Sequence, residues 1–124
     1  ANRKRTDLLM ETDSALFRIQ VKSKQRNEWP AIKGIRGNNE LLVLVDFQWK
    51  SLTERPDFYV LNSRDWQILL KARKRTHPRM RIENKYIPVF DNGRFKGMGL
   101  QSGQVQPYKE KWHKLRVCRR ARIE

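Results

Sequence analysis

The chain has 124 residues, of which 28 are Lys or Arg and 13 are Asp or Glu, giving a formal net charge of +15. This length suits one domain with one modest core. Four Trp, three Tyr and five Phe in a chain that is 38% hydrophobic argue against a disordered tail. So much positive charge in a compact domain repels itself, and a polyanion relieves the repulsion. Nucleic acid is the expected polyanion, because each Lys or Arg that contacts a phosphate releases counterions; the alternative is a basic protein without such a ligand.

The remaining composition argues against membrane and secretory classes. No apolar run approaches the roughly 20 residues that span a bilayer, and no basic amphipathic helix of convincing length is present. Cys118 is the single cysteine, so no internal disulfide is possible. Residues 1–7 are not followed by the apolar segment of a signal peptide. We therefore expect a soluble protein in a reducing, cytoplasmic setting.

Short apolar runs predict the strands in chain order. Leu8–Met10 and Ala15–Val21 flank Asp13-Ser14, a turn candidate, and predict the first two strands. Leu41–Val45 is a continuous apolar run, which is typical of a strand buried on both faces. Phe58–Leu61 predicts a fourth strand. Trp29, in an Asn-Glu-Trp-Pro turn, is expected to pack over a strand end rather than to stack on a base.

A helix is predicted after the fourth strand. Asn62 or Ser63 can cap it, and it is expected to run from Arg64 to about Arg75. Three large apolar residues recur at helical spacing and predict its buried stripe: Trp66, Leu69 and Leu70. Cations fill the last turn, where they suit the negative end of the helix dipole.

The C-terminal half carries weaker signals. Tyr86–Phe90, broken by Pro88, predicts an edge strand. A last helix is predicted to begin at Pro107, where a missing N–H is harmless. Its buried face would carry Tyr108, Trp112 and Leu115. Residues 116–124 are expected to form a basic C-terminal tail.

The first two strands predict an antiparallel hairpin with a defined register. A tight turn at Asp13-Ser14 sets Leu8 opposite Ile19 and Asp7 opposite Gln20. Because side chains alternate between faces, one face is apolar and is expected on the core: Leu8, Met10, Phe17, Ile19 and Val21. The other face is polar apart from Leu9: Asp7, Glu11, Arg18, Gln20 and Lys22. A slip by one residue would expose the apolar set, so the pattern favours this register.

The polar face gathers groups that suit metal-assisted phosphodiester hydrolysis. Asp7 offers a hard carboxylate oxygen to Mg²⁺, Gln20 offers its side-chain carbonyl, and the backbone carbonyl of Val21 is a third candidate ligand. Lys22 lies two residues along on the same face, where an ammonium can stabilise an attacking hydroxide or the charge that develops on phosphorus. The alternative is an ordinary solvated strand face.

These residues resemble a known pattern. The segment Arg5-Thr6-Asp7-Leu8-Leu9 followed by Phe17-Arg18-Ile19-Gln20-Val21-Lys22-Ser23 resembles the PD-(D/E)xK nuclease superfamily, which has an Asp on one strand and an acidic-x-Lys on the next. Asp7 and Lys22 match, and Gln20 stands where Asp or Glu is usual, as in some branches. The resemblance covers roughly residues 5–75, with a weaker echo near Trp112.

The resemblance implies an α/β fold of the restriction-endonuclease-like type, with a mixed central sheet and flanking helices. It implies a DNA endonuclease that depends on Mg²⁺ or Mn²⁺, in which Asp7, Gln20 and Lys22 are catalytic and which often acts as a homodimer. The family has a helix, often with a Glu, before the first catalytic strand, and six residues precede Asp7 here. Three explanations stay open: the chain is a fragment, the helix is supplied elsewhere, or the site is incomplete. Residues 1–124 are expected to form one domain.

Cations near the predicted hairpin and helix end are candidate phosphate contacts, with a solvated charged surface as the alternative: Arg3, Lys4, Arg5, Arg18, Lys24, Arg26, Lys71 and Arg75. His77 and His113 are isolated and are read as surface residues. The competing functional hypothesis is a non-catalytic nucleic-acid-binding module, either a degenerate nuclease or a basic RNA-binding protein. A structural protein of a ribonucleoprotein is a third.

Overall fold

The computed structural model describes the backbone of residues 6–13 and 15–116. Within these residues the chain forms one α-helix and nine strands: β1 (Thr6–Glu11), β2 (Leu16–Lys24), β3 (Trp29–Ile32), β4 (Glu40–Asp46), β5 (Asp57–Asn62), α1 (Ser63–Thr76), β6 (Arg81–Glu83), β7 (Ile87–Phe90), β8 (Phe95–Lys96) and β9 (Met98–Leu100). The class is mixed α/β, as predicted.

The central sheet has the strand order β1-β2-β4-β5. β2 and β4 are parallel, whereas the β1–β2 and β4–β5 pairs are antiparallel, so the sheet is mixed. Residues 41–46 of β4 are all buried, which confirms the strand predicted over Leu41–Val45. A central strand covered on both faces needs no polar alternation, and its sequence has none.

The predicted hairpin register is confirmed. In the β1–β2 ladder Leu8 lies opposite Ile19, Met10 opposite Phe17, and Asp7 opposite Gln20. The turn between the strands is closed by the Thr12 amide, which donates to the Ala15 carbonyl oxygen at 2.8 Å.

Two apolar clusters cover the two faces of the central sheet. Alternate residues of β4 supply both, with Leu42 and Leu44 on one side and Leu41, Val43 and Val45 on the other. The first cluster includes Trp66 of α1 and the β3–β9 pair. The second includes Phe17, Ile19 and Val60, with Trp112 and Leu115 packed against it. Gln20 and Lys22 share a face with Lys24, on the side of α1.

Helix α1 begins at the predicted cap. The Asn62 side-chain oxygen accepts a hydrogen bond from the Asp65 amide at 2.9 Å, and the Asp65 carboxylate accepts one from the Asn62 amide at 2.9 Å. This capping box satisfies two backbone donors that the helix itself leaves unpaired. The predicted stripe is buried: Trp66, Leu69 and Leu70.

The strand predicted around Pro88 is present as β7, but its predicted position at a sheet edge was wrong. β7 lies between β6 and β8 in a three-stranded sheet. Pro88 pairs with Ile82 of β6, and on its other side its carbonyl accepts a hydrogen bond from the Gly97 amide at 2.8 Å. Proline lacks only the donor, so a position that uses its acceptor is compatible with an interior strand.

The last helix predicted from Pro107 was also wrong. The segment instead has two 3₁₀ turns, Gln106–Tyr108 and Trp112–Arg116. Between them Lys109 is extended and bridges to Tyr59, and the Glu110 amide donates to the Phe58 carbonyl oxygen at 2.9 Å. The segment satisfies backbone groups at the outer edge of β5, which a continuous helix cannot do.

Leu8 was expected on the core, but it is 52% exposed. It lies on β1, the outermost strand, and the described elements that cover this face bury Phe17 and Ile19 rather than the neighbouring edge. In the described ranges, no helix has the length and apolar character needed to cross a membrane.

Candidate active site

The first two strands bring the backbone positions of the predicted site together. Asp7 is the ladder partner of Gln20, and Gln20 in turn lies beside Leu42 of β4. Lys22 follows two residues along β2, beside Leu44. The pairing on which the predicted site depends is therefore present, with Gln20 on an interior strand. The structure describes Asp7 by its backbone.

The Gln20 side chain is held by one long hydrogen bond. It is half-buried, and its Nε2 donates to the carbonyl oxygen of Gly34 at 3.4 Å. Because the amide nitrogen is directed at this carbonyl, the amide oxygen is the end left as an acceptor. Among the described residues no group donates to that oxygen, so it can accept a ligand.

Gly34 makes this contact possible. Its φ is +97°, and a Cβ at this position would lie 2.2 Å from the Trp66 ring. The ring itself is fixed, because Trp66 Nε1 donates to the Tyr86 carbonyl oxygen at 2.8 Å. Only glycine allows the loop backbone to pass so close to α1 in this conformation. In the sequence Gly34 looks like an ordinary loop glycine, and no neighbouring residue indicates its close approach to Trp66.

Lys22 is half-buried, and alternation along β2 puts it on the same face as Gln20. In the part of the chain that the structure describes, its ammonium has no hydrogen bond and no ion pair. Its neighbours in the ladder are aliphatic residues of β4. The ammonium is thus available to an anion that approaches this face.

Lys24 was predicted to contact phosphate, and the structure contradicts this prediction because the side chain is buried. It is 4% exposed, and its ammonium contacts the Asp46 carboxylate at 2.8 Å. It also donates to the Arg26 carbonyl oxygen at 2.9 Å and to Gln48 Oε1 at 3.1 Å, and it lies 4.7 Å from the centroid of the Trp29 ring. The parallel pairing of β2 with β4 puts Lys24 beside Asp46, and burial excludes phosphate from it.

The other predicted phosphate contacts within the described residues are exposed. Arg18 and Arg26 lie near the two ends of β2, and Lys71 and Arg75 lie near the end of α1. Arg3, Lys4 and Arg5 lie outside the described residues, as do residues 117–124 of the basic tail.

Exposed cations continue along the chain from the last turns of α1 to the start of β6. We call them the helix-end cations; they have no ion pair within the described ranges: Lys71, Arg75, Arg79 and Arg81. Lys74 is excluded because its ammonium donates to the carbonyl oxygens of Pro78 and Met80. Exposed cations without an ion pair are candidates for contacts with phosphate.

Trp29 packs as expected. It is fully buried, its Nε1 donates to the Val45 carbonyl oxygen at 3.1 Å, and its ring meets Tyr59 edge-on at 5.8 Å. A buried ring cannot contact a base of a bound nucleic acid, so Trp29 is not a base-stacking residue. His77 and His113 are exposed, and no cluster of three or more His, Cys, Asp or Glu occurs among the described residues. The predicted ligand set, with one carboxylate and two neutral oxygens, is not a cluster of that kind.

Comparison of the chain with protein-family models, with curated proteins and with solved structures finds no match. The resemblance to the PD-(D/E)xK superfamily therefore depends on the hairpin residues themselves and stays a prediction.

Proposed function

We propose that this chain is a Mg²⁺-dependent DNA endonuclease with a restriction-endonuclease-like fold. The observation that supports it is the β1–β2 register, in which Asp7 lies opposite Gln20 and Lys22 follows on the same strand. A mixed sheet with a parallel β2–β4 pair is compatible with that fold.

The donor set fits a hard cation. Mg²⁺ prefers oxygen ligands and retains several waters, and the candidates are the Asp7 carboxylate, the Gln20 amide oxygen and the Val21 backbone carbonyl. The hydrogen bond from Gln20 Nε2 to Gly34 supports this, because it leaves the amide oxygen as the available end. When bound, the metal would polarise the scissile phosphate and promote ionisation of a water.

Lys22 is the residue assigned to the charge that develops in the reaction. Its half-buried ammonium, without a partner in the described residues, would stabilise a hydroxide nucleophile or the phosphorane oxygens. Partial burial strengthens such an interaction, since charges separated from bulk water are less screened.

DNA is the favoured substrate, and the net charge of +15 supports tight binding to its backbone. The helix-end cations are exposed and without an ion pair in the described residues, which supports such contacts. Cutting both strands of a duplex suits a homodimer, which belongs to the same proposal.

The identity of residue 20 favours a second candidate function. Gln20 stands where the family has a carboxylate, which removes one negative charge from the ligand set and weakens attraction for a divalent cation. The second candidate is therefore a non-catalytic module that binds DNA or RNA.

A cleavage assay separates the two. Supercoiled plasmid and single-stranded DNA are incubated with Mg²⁺ or Mn²⁺ and with EDTA. We expect metal-dependent nicking that falls at least about 100-fold on Asp7→Ala and on Lys22→Ala, while binding is largely kept. Lys111→Ala, which removes an exposed lysine outside the proposed site, is the matched control. Salt-dependent binding with no cleavage under either metal would contradict the nuclease proposal and leave the binding module.

A further inference from the structure

The loop between β4 and β5 exposes an unusual set of large apolar side chains. Phe47 is 40% exposed, Trp49 90% and Leu52 105%. By contrast, Trp29 and Trp66 are fully buried. We call residues 47–52 the aromatic loop. Adjacent exposed apolar side chains in a basic, polar chain mark a surface that a ligand covers.

The aromatic loop is held in shape by its own hydrogen bonds. The Phe47 amide donates to the Lys24 carbonyl oxygen at 2.9 Å, and the Gln48 amide donates to the Asp46 carboxylate at 2.9 Å. Further along, the Lys50 amide donates to the Phe47 carbonyl oxygen at 3.1 Å. Trp49 has a φ of +67°, an uncommon conformation for a bulky residue. The loop backbone is thus held by hydrogen bonds while the indole stays exposed. Binding of a ligand to the indole therefore costs little backbone conformational entropy.

A groove of about 420 Å³ lies along this loop. Aromatic and aliphatic groups alternate with polar ones around it: Gln25, Phe47, Trp49, Lys50, Ser51, Leu52 and Glu54. The groove lining includes one cation, Lys50, and one anion, Glu54, whose pKa is held below its ordinary value by hydrogen bonds from Ser51; the Lys50 ammonium also lies 3.5 Å from the Asp57 carboxylate. The groove lining thus combines aromatic and polar groups without an excess of positive charge, which suits a nucleobase better than a phosphate.

The charge of the whole chain decides between occupants. A second copy of this chain carries the same +15 and brings no opposite charge to this face, so it makes no use of the net charge. A polyanion is attracted, and only a polyanion with flat aromatic groups uses both the charge and the exposed indole. Nucleic acid with accessible base faces meets both requirements.

We propose that Trp49 stacks on an unpaired base of a bound nucleic acid, and that the chain therefore prefers substrates with unpaired nucleotides over continuous duplex. This inference rests on the proposed nucleic-acid-binding function. The aromatic loop follows the β4 residue paired with Lys24, and Lys24 is two residues from Lys22. Two steps along a strand cover about 6.6 Å, so the aromatic loop begins near the end of β2 that carries Lys22.

Tryptophan fluorescence tests the inference without any need for catalysis. The full chain is titrated in EDTA with oligothymidylate, with a blunt duplex and with heparin, which is a polyanion without bases. We expect oligothymidylate to quench the emission and to shield it from iodide, and we expect heparin to bind without quenching. Trp49→Ala should weaken oligothymidylate binding by about 5- to 150-fold, the range measured for one stacked base, and leave heparin binding unchanged. Phe95→Ala, which removes an exposed aromatic residue of β8, is the matched control.

The outcomes distinguish the two proposals. If oligothymidylate binds equally to the wild type and to Trp49→Ala, stacking is refuted and the nuclease proposal is unaffected. Emission that changes with protein concentration alone would show that a second copy covers the loop, and this also refutes stacking. If the wild type binds none of the nucleic acids, both proposals fail. Unchanged thermal unfolding of Trp49→Ala excludes a folding defect, as expected for a side chain that is 90% exposed.

Discussion

The buried ion pair between Lys24 and Asp46 allows a quantitative test of the fold. The Lys24 side chain is 1% exposed and that of Asp46 is 8% exposed. Lys24→Met keeps most of the apolar stem and removes the ammonium. The Asp46 carboxylate then still accepts the hydrogen bond from the Gln48 amide. It loses the Lys24 ammonium, its only buried counter-charge in the described part of the chain. Removal of one partner from a buried pair costs about 3–5 kcal/mol of the free energy of unfolding.

This loss is large beside the about 5–15 kcal/mol that stabilises a typical domain. For a chain of this size each kcal/mol lowers the Tm by about 4 °C, so Lys24→Met should melt about 12–20 °C lower. The measurement is urea unfolding followed by circular dichroism, in which the midpoint should fall while the m-value stays constant. Lys111→Ala, an exposed substitution, should change the free energy of unfolding by less than about 0.5 kcal/mol.

A second substitution separates charge from packing. Adding Asp46→Asn to Lys24→Met removes the uncompensated carboxylate charge while keeping an oxygen that accepts from the Gln48 amide. Replacement of a buried ion pair by groups of similar volume is often close to neutral, so the double variant should recover most of the lost stability. The reasoning is refuted if Lys24→Met unfolds like the wild type, or if the double variant is no more stable than the single one.

Three further predictions concern the site and the C-terminal segment. Gly34→Ala forces a methyl group against the Trp66 ring at a φ of +97°, so it should lower the free energy of unfolding by more than about 1 kcal/mol in urea and also reduce cleavage; a variant as stable as the wild type would contradict the geometry. Gln20→Glu loses the donor to Gly34 and adds a negative charge, so it should be less stable without metal but need less Mg²⁺ for half-maximal cleavage; an unchanged Mg²⁺ requirement would argue against Gln20 as a ligand. The hydrogen bond from Arg55 lowers the pKa of Glu110, so this carboxylate stabilises the fold above its unfolded pKa, and the contribution is lost as the pH falls through the folded value; Glu110→Gln should therefore show a smaller fall in Tm than the wild type between neutral pH and about pH 3, and an equal fall would exclude this pair.

The hairpin and α1 could be predicted because their signals are local. The register of β1 and β2 follows from alternation with a period of two, since only one pairing puts the apolar residues on one face. The start of α1 follows from a cap that contacts a residue three positions away. Each signal lies within a few residues of the element that it defines.

The predictions that failed depended on contacts between distant residues. β3 pairs with β9, so that Trp29 lies opposite Leu100, and nothing near Pro30 indicates a strand. The helical spacing of Tyr108, Trp112 and Leu115 gives way to hydrogen bonds with the edge of β5, because backbone groups there lack other partners. Local helix propensity predicts structure poorly where the backbone groups of a strand edge need hydrogen-bond partners.

In the candidate site, too, the local features could be predicted from the sequence and the long-range contacts could not. Alternation correctly put Gln20, Lys22 and Lys24 on one face of β2, but it could not tell that α1 and the β3–β9 pair cover this face. The environment of each side chain depends on the parallel pairing with β4, which brings Asp46 beside Lys24 and aliphatic residues beside the other two. That pairing joins segments about twenty residues apart and has no local signature.

Lys22 and Lys24 show how the structure separates a structural lysine from one that is available to a ligand. Both lie on the same face of the same strand, two residues apart. Lys24 is buried and has a carboxylate, a carbonyl, an amide oxygen and an aromatic ring as partners. Lys22 is half-buried and, in the described residues, has none of these. A partly desolvated cation without a partner costs free energy unless an anion approaches it, and a phosphate drawn to a chain of net charge +15 supplies that anion. Substitution to Met should therefore have different effects at the two positions. Lys24→Met should lower the stability, whereas Lys22→Met should reduce phosphate-dependent function with little loss of stability.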